Sequence, residues 1–112
     1  MTDVYFNSTV KNFPYGKKAI EDIIKNGCKI LGKKNVELEI NIVGEYLIKK
    51  LNKKYRGINK VTDVLSFAWK EDSVFPTDFL GQIYVCYPKI IKQAGIHKVS
   101  IKEELYRMII HG

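Results

Sequence analysis

The strictest pattern in this chain lies at residues 36–43, where the sequence VELEINIV alternates apolar and polar side chains. Alternation with a period of two predicts a β-strand with one buried face and one wet face. An amphipathic helical period precedes this strand at residues 17–31, and another follows it at residues 45–55. The combination indicates a sheet that is covered by helices.

The rest of the chain extends this pattern to the order strand, helix, strand, helix, strand, strand, helix, helix. This order predicts an α+β fold in which a small mixed four-stranded sheet is packed with about four helices in a single domain, residues 1–112. Gly81, near the start of its strand, indicates a β-bulge or a close backbone approach. The predicted strands are residues 1–8, 36–43, 62–69 and 79–87, and the predicted helices are residues 17–31, 45–55, 89–94 and the stretch after Ser100.

The chain carries a net charge of +7, which arises from nineteen basic and twelve acidic residues. A basic excess favours a polyanionic partner, such as nucleic acid or an anionic membrane surface, although a lysine-rich solvated surface is the simpler alternative. Only Arg56 and Arg107 are arginines, so each of them stands out in a chain that otherwise uses lysine.

The sequence predicts a cytoplasmic protein without a membrane partner. No apolar run approaches the roughly 18 residues of a membrane span, and the first residues lack the pattern of a secretory signal. Cys28 and Cys86 lie in apolar contexts and form no CxxC pair, which is typical of small core residues in a reducing compartment.

The last stretch, residues 100–112, reads as a helix that begins with a capping box formed by Ser100 and Glu103. His111 falls at the edge of its apolar face. There it is either a metal ligand or acid–base group, or an ordinary surface histidine near a helix end. The other histidine, His97, is predicted to lie in a loop. Two histidines without a partner four residues away do not make a three-ligand zinc site, so this chain alone does not predict stable metal binding.

Arg56 follows a lysine-rich helix end, with Lys60 nearby. Its guanidinium fork suits phosphate, and the alternative is a charge that complements the helix dipole. Thr62 and Asp63 either cap a turn or orient a catalytic group. Five aromatic residues are candidates either for stacking on bases or for packing in the core and on the sheet: Tyr46, Tyr55, Trp69, Tyr84 and Tyr87.

Three segments together resemble the YbeY-type rRNA maturation factors, which are metal-dependent, single-strand-specific endoribonucleases of bacteria. They are LNKKYRGINKVTDVLSFAW at residues 51–69, FLGQIYV at residues 79–85 and EELYRMIIHG at residues 103–112. In that family the final His-Gly opens a longer His-Gly-x-x-His signature, which is followed by a third histidine. His111 matches the first histidine, and the resemblance implies that the sequence stops inside this signature, with the metal-binding segment missing.

The resemblance also implies roles for individual residues. The family's three histidines bind one metal, usually zinc, so His111 is expected to be a metal ligand and a catalytic residue. Arg56 matches the family's groove arginine and is expected to hold and stabilise the scissile phosphate, with Lys60 beside it on the RNA. Gln82 replaces the aspartate of the family's Gly-Asp-Ile, which leaves the role of that carboxylate open. Val61 replaces a proline, a minor backbone difference.

The expected function is therefore maturation of the 3′ end of small-subunit rRNA and ribosome quality control. The expected partners are single-stranded rRNA and the small ribosomal subunit or its assembly proteins. Because one of three zinc ligands is present, this chain is expected to bind zinc weakly and to be inactive or impaired. The alternatives are a non-catalytic RNA-binding or ribosome-assembly module, and a metal-dependent peptidase-like hydrolase; Gly112 stands where such peptidases have glutamate.

Overall fold

The computed structural model describes residues 2–68 and 78–111, and within them it confirms the predicted α+β order of elements. The strands are β1 (Thr2–Ser8), β2 (Asn35–Val43), β3 (Val64–Ala68) and β4 (Asp78–Cys86). The helices are α1 (Lys17–Leu31), α2 (Glu45–Arg56), α3 (Tyr87–His97) and α4 (Ile101–His111).

The four strands form one mixed sheet in the order β1-β2-β4-β3. The β1–β2 and β2–β4 pairs are parallel, and the β3–β4 pair is antiparallel. Helix α1 returns the chain across the sheet between the parallel strands β1 and β2, as parallel pairing requires. Both α2 and the antiparallel strand β3 lie between the parallel strands β2 and β4. Gly81 pairs with Leu38 on one side and Ala68 on the other, in registers that continue without an added residue. Of the two alternatives predicted at Gly81, the bulge is therefore wrong, and the close backbone approach stays a prediction.

Several predicted boundaries also differ from the structure by one to three residues, and α3 already begins at Tyr87, which was predicted to end the last strand. β3 begins at Val64, because the Asp63 carboxylate accepts a hydrogen bond from the Val64 amide (2.8 Å) and caps the preceding turn; Trp69, at the predicted end of this strand, lies outside the described residues. The third helix runs on past residue 94, so His97 is its last residue and the prediction of a loop there was wrong. Lys98 ends the helix in a left-handed conformation, φ 55°.

The alternation of β2 produces the two faces that it predicts. The apolar side chains of β2 pack under α1 and α4 in the larger core, where Ile40 and Ile42 are fully buried. Complete burial of such a side chain contributes roughly 1.5–3 kcal/mol. A smaller core under α2, on the opposite face, contains Val43, Ile48, Leu65 and Cys86. The sheet therefore separates α2 from α1 and α4.

The two cysteines behave as core residues. Cys86 is buried and Cys28 is half-buried, and neither forms a disulfide. Burial raises the pKa of both thiols, so they stay protonated at neutral pH. None of the helices in the described part of the chain is long and apolar enough to cross a membrane.

Candidate RNA-binding site and metal ligand

Arg56 lies at the exposed end of α2. The helix ends there because Gly57 takes up a left-handed conformation (φ 71°), and its N–H donates to the carbonyl of Lys53 at 3.0 Å. Within residues 2–68 and 78–111, Arg56 makes no hydrogen bond or ion pair. Its guanidinium is open to a ligand, and its place at the negative end of the helix dipole fits the alternative interpretation equally well.

Asn52 holds the loop that carries Lys60. Its side chain is 3% exposed, and its Nδ2 donates to the Lys60 carbonyl at 3.0 Å. The Ile58 amide in turn donates to the Asn52 carbonyl at 3.3 Å. Lys60 is exposed, and it is thereby tethered to the helix that ends at Arg56. Sequence reasoning missed this role of Asn52, although an asparagine on the apolar face of a helix is a detectable signal.

Thr62 and Asp63 form the turn cap that was the simpler of their two interpretations. Besides accepting from Val64, the Asp63 carboxylate accepts from Nε2 of Gln93 on α3 at 3.2 Å. The Asp63 carbonyl accepts from the Cys86 amide at 2.8 Å. These bonds tie the start of β3 to the junction of β4 and α3, and they account for Asp63 without a catalytic role.

The aromatic candidates divide into exposed and packed side chains. Tyr87 is buried in the larger core, whereas Tyr46 is 83% exposed and Tyr55 is 57% exposed. The Tyr55 ring packs edge-on against Phe67, with 5.1 Å between centroids, and Phe67 packs against Tyr84. Burial, and then the charge of Glu39, raise the pKa of Tyr84. Tyr46 and Tyr55 are therefore the tyrosines in this group that are most open to a base.

Gln82 is bound to a carboxylate on the neighbouring strand. Its Nε2 donates to Oε2 of Glu39 at 2.7 Å, on the sheet face that α2 only partly covers. An aspartate at this position would place two carboxylates side by side, which would repel each other or share a proton. The amide here makes a hydrogen bond to Glu39, so this site does not offer the paired carboxylates that an aspartate would create.

Helix α4 starts as predicted, since the Glu103 amide donates to Oγ of Ser100 at 3.1 Å. One turn into the helix, Glu104 is fully buried, and its Oε1 lies 2.6 Å from Nδ1 of His97 on α3. Nη1 of Arg107 lies 3.0 Å from the same His97 nitrogen and 3.9 Å from Oε1 of Glu104. These polar contacts connect α4 to α3. His97 therefore has a structural role, as the partner of the buried Glu104 carboxylate.

His111 is the last residue of α4, and its side chain lies outside what the structure describes. The position of the C-terminal end of α4 relative to Arg56 follows from the contacts that both helices make with β3. Ile109 and Ser66 line one cavity of about 170 Å³ on the α1/α4 face. Phe67, the next residue, points to the other face and packs on Tyr55. The ends of α2 and α4 therefore reach the same end of the sheet from opposite faces.

The side chains in the described part of the chain do not fit a resident metal ion by themselves. No group of three or more histidine, cysteine, aspartate or glutamate side chains there could hold one. A catalytic zinc site needs three protein ligands. His97 contacts the buried Glu104, with 2.6 Å between Nδ1 and Oε1.

Comparison with known proteins places these elements in a family. The sequence profile described as "Endoribonuclease YbeY" matches residues 6–112. Three proteins named Endoribonuclease YbeY are similar to this chain. The one from Finegoldia magna is 40% identical over 78 residues, which is 70% of this chain and 51% of that protein. The one from Mycoplasmopsis synoviae is 37% identical, over 94% of this chain and 71% of that protein. The one from Sulfurihydrogenibium sp. is 31% identical, over 97% and 72%.

The fold has a solved counterpart. The solution structure of the protein TM1509 from Thermotoga maritima superposes with a TM-score of 0.65 and 28% sequence identity, covering 97% of this chain and 68% of that one. The chain thus spans between about half and three quarters of the length of the relatives that it matches.

Proposed function

Because the chain belongs to the YbeY endoribonuclease family, we propose that it serves as a metal-dependent endoribonuclease on single-stranded rRNA. The observation that carries the proposal is the family match over residues 6–112, which includes Arg56, Lys60 and His111. The proposed task is maturation of the 3′ end of small-subunit rRNA and ribosome quality control, in the cytoplasm. The proposed partners are single-stranded rRNA and the small ribosomal subunit or its assembly proteins.

The chemistry that this chain can itself contribute is phosphate binding. Arg56 offers a planar fork that matches two phosphate oxygens, and it is not committed to any partner in the described ranges. Lys60 is held at the same helix end by Asn52 and adds a second positive charge. Together they would bind a phosphodiester and stabilise the negative charge that develops on it during cleavage.

His111 is proposed as one ligand of the metal. When bound, such an ion supplies a water molecule of lowered pKa and polarises a phosphodiester oxygen.

The exposed guanidinium of Arg56, which has no partner in the described ranges, also fits a second candidate function, a non-catalytic RNA-binding module. Both candidates are tested by incubating the 112-residue chain with a labelled single-stranded RNA and with a duplex of the same sequence. We expect salt-sensitive binding that prefers the single strand. Added zinc that produces endonucleolytic products would favour the enzyme, and binding without products would favour the module. Equal binding to strand and duplex would contradict the proposed specificity.

A zinc titration of the 112-residue chain is expected to show no tight, stoichiometric binding. A single imidazole is a weak ligand for zinc, and His97, the other histidine, contacts Glu104. Isothermal calorimetry or a competing zinc indicator measures this directly, with His111→Ala as the matched control. Tight binding by the wild-type chain that His111→Ala abolishes would show that the present residues do complete a site.

A further inference from the structure

The outer face of α2 carries an exposed stripe of one aromatic and three cationic side chains. These are Tyr46, Lys49, Lys53 and Arg56, hereafter the α2 stripe, and all four are exposed. Their spacing of three, four and three residues keeps them on one side of the helix. The buried residues of the helix, Ile48 and Asn52, face the sheet instead. Apart from a carboxylate in the first turn, Glu45, the helix has no acidic residue.

The cations of the α2 stripe have no acidic partners of the kind found on α1. On α1, by comparison, Glu21 lies 3.7 Å from Lys17 and 3.9 Å from Lys25. Within residues 2–68 and 78–111, neither Lys49 nor Lys53 makes an ion pair. A row of uncompensated cations attracts a polyanion, and neutralising its phosphates releases counterions.

Tyr46 gives this surface a feature that an ordinary solvated lysine face lacks. A tyrosine ring that is 83% exposed leaves its apolar faces in water at the far end of the stripe from Arg56. No other aromatic ring among the described residues packs against it. Aromatic side chains interleaved with cations are the surfaces on which single-stranded nucleic acids stack their bases.

We infer that the α2 stripe is a track for single-stranded RNA, which leads from the phosphate held at Arg56 to a base stacked on Tyr46. The inference deepens the proposed function and depends on it. From residue 46 to residue 56 the helix rises about 15 Å. At about 3.4 Å per nucleotide of a stacked strand, this length accommodates about four nucleotides. Paired bases in a duplex are not available to the Tyr46 ring, so the track selects single strands.

The test measures fluorescence anisotropy with a short fluorescein-labelled single-stranded oligoadenylate over a range of salt concentrations. Tyr46→Leu is expected to weaken binding roughly fivefold or more, as loss of one base–aromatic stack does, whereas Tyr46→Phe keeps the ring and the affinity. The double variant Lys49→Gln/Lys53→Gln is expected to lower the salt slope by about 1.4, which corresponds to about 0.7 for each phosphate contact.

The control removes the same charge from the opposite side of the sheet, with Lys18→Gln/Lys29→Gln on the exposed surface of α1. The proposal is overturned if both double variants lower the salt slope of RNA binding equally, because binding then depends only on the net charge of the protein. It is also overturned if Tyr46→Leu binds like the wild type. If binding depends on Arg56 alone, the stripe fails and the proposed function stands. If the wild-type chain binds no RNA, both fail.

Discussion

Replacing His97 by leucine is expected to lower the free energy of unfolding by about 3 kcal/mol. The variant leaves the carboxylate of Glu104 buried, with 1% of its side chain exposed, and removes the partner that lies 2.6 Å from its Oε1. The guanidinium of Arg107 is 3.9 Å away from the same oxygen, and its side chain is largely in solvent. The Oε2 atom of Glu104 has no hydrogen-bond partner in the structure to compensate. We take the lower end of the range for a broken buried pair because the His97 side chain is 37% exposed.

The two partners differ in exposure, since His97 is partly exposed and Glu104 is buried, and this difference provides the control. Glu104→Leu is expected to cost less than His97→Leu, because His97 and Arg107 both reach water when the carboxylate is gone. The double variant His97→Leu/Glu104→Leu is expected to be more stable than His97→Leu alone, since no buried charge remains unpaired. Arg107→Leu removes the more distant partner of Glu104, and because the Arg107 side chain is 59% exposed the expected cost is less than about 1 kcal/mol. Urea unfolding followed by circular dichroism gives all four values.

A His97→Leu variant as stable as the wild type would show that the Glu104 carboxylate is not charged or not isolated in the folded protein. A double variant less stable than either single variant would show that packing, rather than charge, decides the cost. The expected order would instead show that the His97–Glu104 pair stabilises the packing of α4 on α3, beside the buried Leu105 and Ile109. Because α4 ends at His111, the same pair fixes the helix on which the proposed metal ligand lies.

The fold was predictable because its elements carry local signals. The alternation of residues 36–43 and the periods of α1 and α2 each specify which side is buried, and the structure buries those sides. The errors fell where a tertiary contact overrides the local pattern. His97 was placed in a loop because Gly95 interrupts the helical period, yet the helix continues to His97, which bonds to Glu104 on the next helix. The sequence contains both residues but does not show that the two helices bring them into contact.

The site was predictable only in part, for the same reason. The motif around Arg56 placed it correctly at the end of α2, since Gly57 is a recognisable helix stop. The exposure of Tyr46 was not predictable, because tyrosine side chains occur both in protein cores and on protein surfaces. The hydrogen bond from Asn52 on α2 to the Lys60 carbonyl in the following loop was not predictable either, because it depends on the path of that loop. Polar contacts between elements are what the sequence pattern leaves open.

Arg56→Ala is expected to weaken binding of single-stranded RNA by about tenfold and to reduce its salt slope by about 0.7. The physical reason is the loss of a charge-assisted, two-pronged contact with phosphate, which is worth about 1.5–3 kcal/mol. Arg56→Lys keeps the charge and loses the fork, so it is expected to keep the slope while recovering only part of the affinity. Anisotropy titrations over a range of salt concentrations separate the two quantities.

The fold should tolerate both variants. Arg56 is exposed and has no partner within the described ranges, so the free energy of unfolding is expected to change by less than about 0.5 kcal/mol. Lys18→Ala on α1 is the charge-matched control, and we expect it to leave the affinity near that of the wild type. If Arg56→Ala and Lys18→Ala weaken binding equally, Arg56 contributes only to the net charge. If Arg56→Lys binds like the wild type, phosphate is held by a point charge rather than by the guanidinium fork, and the groove role taken from the family would not apply to this residue.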